Sequence, residues 1–148
     1  MIQDNTINLA EELRNGHKEK TQEFFNDLLV GQKIKKAYDN ILILENGVKL
    51  TLFESRGDHY AGAYGYWDII NGSQEAGITN VEIEKGECCN NKYSFLGNYI
   101  IITILHDNNL IVKGEGVASA GNSGYYFSTL SLKIELNDQV IEKELLYS

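Results

Sequence analysis

Apolar residues recur with two different periods along this chain, and the change falls at Gly31. Before it, Ile7, Leu9, Ala10 and Leu13, then Thr21, Phe24, Phe25, Leu28 and Leu29, fall on one side of a helix, so amphipathic helix is predicted. Asn5 or Thr6 caps the first piece, Asn15-Gly16 interrupts it, and Gly31 stands where a helix ends in a left-handed residue. The pieces form a helical arm over residues 1–30, which either packs on the rest of the chain or pairs with another copy.

Beyond Gly31 the period drops to two. Segments 33–38, 41–45, 48–53, 78–84, 99–105, 110–113, 126–136 and 140–146 read as strands. Asn46-Gly47 predicts a two-residue type I′ hairpin, which sets Ile43 opposite Leu50 and Ile41 opposite Leu52. Ile41, Ile43, Val48, Leu50 and Leu52 then share a core face, and Leu42, Leu44 and Phe53 point away. Segment 99–105 is apolar on both faces and belongs at the centre of a sheet. Residues 66–71 read as a single helical turn, Gly114-Glu115-Gly116 as a bulge or bend, and Asn137-Asp138 as a turn. The expected class is α+β: the arm, then a mostly antiparallel seven- to eight-stranded sheet or partly open barrel over residues 31–148.

The stretch between the hairpin and the next clear strand is of another kind. Residues 55–68 hold Arg56, Asp58, His59, three tyrosines (Tyr60, Tyr64, Tyr66), the only tryptophan (Trp67) and three glycines. Glycine admits close backbone approach and aromatic rings offer large contact area at low entropic cost, so a contact surface is expected here. Its predicted members are Arg56, Asp58, His59, Tyr60, Tyr64, Tyr66 and Trp67, with Asn122 and Tyr125 of a second glycine-rich loop beside them. The competing reading makes Tyr64 and Trp67 core anchors.

Composition narrows the function. At 148 residues, with 43% hydrophobic and 23% charged residues, one soluble domain is expected. No basic start leads into an apolar stretch and no apolar run reaches membrane length, so a cytoplasmic location is expected. Six of the thirteen basic and six of the twenty-one acidic residues precede residue 37, so the net charge of −8 belongs to the remainder. Such a field repels a phosphate backbone, so nucleic-acid binding is not expected.

Catalytic signatures are missing. His59, Cys88, Cys89, His106 and Asp107 lack metal-ligand spacing, and neither metal nor cofactor is expected. Asp58-His59 and His106-Asp107 are sequence neighbours whose side chains diverge on a strand, which is no triad. The glycines at 121 and 124 open a strand and not a helix, so they form no common phosphate loop. A nucleotide could still stack on Tyr60, Tyr64, Tyr66 or Trp67, with Arg56 supplying charge.

Val30-Gly31-Gln32-Lys33-Ile34, the 41–53 hairpin, Ile78-Thr79-Asn80-Val81-Glu82 and Asn122-Ser123-Gly124-Tyr125-Tyr126-Phe127-Ser128 together resemble an uncharacterised family of small acidic proteins from tailed phages and prophages of low-GC Gram-positive bacteria. The resemblance covers residues 31–136. Where many of its members carry Asp-Cys-Cys-Glu, this chain has Asp58-His59-Tyr60-Ala61, so cysteine chemistry does not carry over. The resemblance implies an accessory protein acting on host machinery. The resulting expectation is a non-enzymatic protein that blocks a bacterial defence protein through an acidic, aromatic-rich surface, with a homo-oligomer through the arm as a further option. The alternatives are a sponge for a small nucleotide signal, a nucleotide-cleaving enzyme with His59 or His106 as base, and a virion component.

Overall fold

The computed structural model describes residues 18–58, 61–70, 75–88, 95–121 and 124–148, and among these described residues one helix, α1 (Lys18–Leu29), precedes nine antiparallel strands. The first helical piece expected from the sequence lies outside the described residues. The strands are β1 (Ile34–Tyr38), β2 (Ile41–Leu44), β3 (Lys49–Gly57), β4 (Ala63–Ile69), β5 (Asn80–Glu87), β6 (Gly97–His106), β7 (Asn109–Ser119), β8 (Ser128–Leu136) and β9 (Gln139–Tyr147). They form two sheets, of order β1-β2-β3-β8-β9 and β4-β7-β6-β5, where the sequence suggested one sheet or an open barrel. The additional strand is β4, the aromatic stretch itself, part of which was expected to be a helical turn.

The helix covers an edge. Thr21, Phe25 and Leu29 repeat every four residues and are fully buried, and Phe25 and Leu29 belong to the same apolar core as the strands. β5 is an outer strand of its sheet, so every second N–H along it lacks a strand partner. Asn26 Oδ1 accepts from Val81 N–H (2.9 Å) and Gln22 Oε1 from Ile83 N–H (3.2 Å), so side-chain amides of the helix stand in for the missing neighbour. Gly31, at φ 92°, ends the helix as its residue type predicts and donates its N–H to the Ile78 carbonyl.

The β2–β3 hairpin differs from expectation by one residue. Its loop is Glu45-Asn46-Gly47: Leu44 N–H donates to the Val48 carbonyl (2.9 Å), Gly47 N–H donates to the Leu44 carbonyl (3.0 Å), and within the loop Gly47 alone has positive φ. A type I′ turn needs two such residues, and one suits a three-residue loop closing in a left-handed glycine. Leu42 therefore faces Leu50, and Leu42, Leu44, Leu50 and Leu52 make the core. Ile41 and Ile43 turn outward beside Thr51 and Lys49, the inversion that a one-residue slip imposes.

Between the sheets, the middle of β7 contributes no side chain, although Val112 and Ala118 on either side of it are buried in the core. Gly114 and Gly116 lie in an unbroken ladder, with no bulge or bend between them, opposite Trp67 and Gly65 of β4. A Cβ on Gly114 would sit 2.6 Å from the Trp67 ring, and one on Gly116 2.4 Å from Leu130. Gly65 gives way to Leu52, 2.9 Å from its own ideal Cβ. These glycines serve close packing of large residues on backbone.

Replacing Asn26 by leucine leaves the buried-edge N–H of Val81 without its acceptor. A loss of about 1–3 kcal/mol is expected in urea denaturation, accompanied by concentration-dependent self-association in light scattering as the β5 edge opens.

Candidate functional site

The alternation of β4 decides which aromatic residues reach solvent. Ala63, Gly65 and Trp67 face the core, and Trp67 is 3% exposed. Trp67 thus leaves the predicted contact surface, and with Nε1 buried and unpartnered among the described residues, its bulk over Gly114 is what fixes it. Tyr64 and Tyr66 face outward, 57% and 40% exposed.

Outside the four-stranded sheet, register builds three rows running from β4 to β5. They are Tyr64–Val117–Tyr99–Gly86, Tyr66–Glu115–Ile101–Glu84 and Asp68–Lys113–Thr103–Glu82. Val117 and Glu115 are nearly sealed from water because they sit between larger neighbours on either side. Tyr66 Oη donates to Glu115 Oε1 and Tyr99 Oη to Glu84 Oε2, each at 2.8 Å. The Tyr99 ring lies over Gly86, where a Cβ would meet it at 2.7 Å. Four carboxylates share these rows with one cation, Lys113, which lies 3.9 Å from Glu115.

The outer face of the five-stranded sheet is more balanced. Arg56, predicted for the contact surface, pairs there with Glu144 at 3.1 Å, bridging from β3 to β9 beside the buried Thr129 of β8. Lys133 stands over the Phe53 ring, and Lys49 lies 4.0 Å from Glu135. Arg56 is therefore on the sheet opposite Tyr64 and Tyr66.

Asp58 acts as a clasp: its N–H donates to the Phe127 carbonyl (2.9 Å) and its Oδ2 accepts from Phe127 N–H (3.3 Å). This joins the connection after β3 to the one before β8. Tyr125 is 82% exposed in the second of these, its ring edge-on to Tyr126. His59, Tyr60 and Asn122 lie outside the described residues. Nearby, the Ser119 carbonyl accepts from both Ser128 and Ser148 hydroxyls at 2.7 Å, tying the ends of β7, β8 and β9 together.

An open groove of about 440 Å³ runs beside the free edge of β4. Ala63 N–H donates to Glu54 Oε1 (3.0 Å) and Trp67 N–H to the Asp39 carbonyl (2.9 Å), so the groove's other wall caps two edge donors. The bonds Ser119 N–H to Gly62 and Ile70 N–H to Ile111 fix the phase of the β4–β7 ladder. Even-numbered residues of β4 therefore bond to β7, and Gly65 directs its N–H and C=O into the groove.

Sequence reasoning missed Asp39, Glu54, Glu84, Tyr99 and Glu115, which join the site only through pairing distant in sequence. Among the described residues, no group of three or more His, Cys, Asp or Glu could hold a metal ion, and no helix is long and apolar enough to cross a membrane. Compared with family models, curated proteins and solved structures, the chain matches none.

The two kinds of β4 aromatic predict opposite mutational outcomes. Trp67→Ala is expected to cost about 3–5 kcal/mol in urea denaturation, whereas Tyr64→Ala, which uncovers only part of Val117, is expected to cost no more than about 1 kcal/mol.

Proposed function

We propose that this chain is a non-catalytic binding protein that docks a basic surface of a partner protein on the tyrosine-bearing, acidic face of its four-stranded sheet. The observation carrying this reading is the adjacent pair Tyr64 and Tyr66, exposed on a face whose three rows hold four carboxylates against one paired lysine. Tyrosine combines apolar area with a polar tip and is favoured in interface hot spots. Clustered carboxylates steer a basic partner and fix its register.

The resemblance to small phage proteins extends the proposal to a partner and a place: a defence protein in a bacterial cytoplasm, blocked by occupation of its basic groove. A sponge for a nucleotide signal has weaker support, because the described rows offer an anionic phosphate only Lys113, itself beside Glu115.

Affinity capture from a low-GC Gram-positive lysate tests the reading, comparing the parent with Tyr64→Ala/Tyr66→Ala. A partner retained by the parent at low salt, released by salt, and lost at least about tenfold by the double variant is expected. Equal retention by both proteins would contradict the proposal.

A further inference from the structure

The groove beside β4 has the chemistry of a receptor for one cationic side chain. Asp39 and Glu54 line it, together with Tyr64 and Tyr66, and none of its described lining residues is basic. Gly65 adds a main-chain carbonyl aimed into the space from the middle of β4, between two edge donors that the protein caps itself. Added strand pairing is thereby restricted, since an incoming strand would have to displace both the Glu54 carboxylate and the Asp39 carbonyl. What stays open is an acceptor flanked by carboxylates and aromatic residues. Those groups complement a planar, delocalised cation with several donors better than a compact ammonium, because guanidinium both stacks on rings and forks onto carboxylates.

We propose that this groove takes an arginine side chain of the partner protein, anchored by Asp39, Glu54 and the Gly65 carbonyl and bordered by Tyr64. The proposal rests on the protein-binding reading of the adjoining face and supplies its anchor. Two features make it testable without unfolding the chain. Glu54→Gln keeps a carbonyl oxygen for Ala63 N–H, and Asp39→Asn keeps a residue type that tolerates φ 52°. Gly57 leaves the room in which the Glu54 side chain lies, a Cβ there falling 2.6 Å from Oε2.

The probe is the blocked tripeptide acetyl-Gly-Arg-Gly-amide, titrated into isotope-labelled protein and followed by NMR. Saturable shifts are expected at the Gly65 amide and the Tyr64 ring, with no matching response to the citrulline tripeptide, which is neutral and nearly the same shape. The Asp39→Asn/Glu54→Gln variant is expected to bind at least about tenfold more weakly, given the strength of charge-assisted hydrogen bonds. Equal shifts with citrulline, or saturation that leaves Gly65 unmoved, would overturn the anchor. No tripeptide response alongside tyrosine-dependent partner capture removes the arginine site alone. A tripeptide response without such capture removes the wider reading alone.

Discussion

The two sheets can approach closely because Gly65, Gly114 and Gly116 present backbone where other strands present side chains. Trp67, Leu52 and Leu130 fill the space so released, which commits the odd positions of β4 to the interior. Tyr64 and Tyr66 are then turned to solvent without any separate device. A Cβ on any of the three glycines would push the opposing residues apart, and interiors packed at crystal-like density have little room for that. The exposure of these tyrosines is thus a by-product of how the core closes.

Each of the four sheet edges is blunted. β1 carries Lys35 and Lys36 and a register shift next to Ile34. β9 turns Lys143 inward, opposite Leu132, and shifts register across from Leu130. β5 is capped by the amides of α1 and also directs a lysine inward, Lys85 opposite Ile100, where burial pushes the ammonium below its ordinary pKa. Lysines, bulges and inward charges are recognised means of discouraging edge-to-edge pairing. The β4 edge is capped at Ala63 and Trp67 and interrupted at Gly65, beside the groove and the exposed tyrosines.

Much of the fold was legible because its signals are local. The Thr21–Phe25–Leu29 stripe with Gly31 after it, the inward Leu130–Leu132–Ile134 alternation and the Asn137-Asp138 turn each follow from a few neighbouring residues. The hairpin register was misread because Asn-Gly also suits a three-residue loop, and the choice depends on whether Asn46 adopts positive φ. β4 was hidden because its inward positions include alanine and glycine while both faces carry aromatics, so hydropathy shows no period of two. The two-sheet split and the rows around Glu115 depend on pairings such as Tyr66 with Glu115, 49 residues away, which no local pattern encodes.

Residue-resolved amide hydrogen exchange on β4 tests the central arrangement most directly, because the strand's alternation should be written in protection. Amides of Tyr64, Tyr66 and Asp68, bonded to β7, and those of Ala63 and Trp67, capped across the groove, should exchange slowly, with Gly65 fast between them. Fast exchange throughout residues 63–69, or slow exchange at Gly65 equal to its neighbours, would contradict the account.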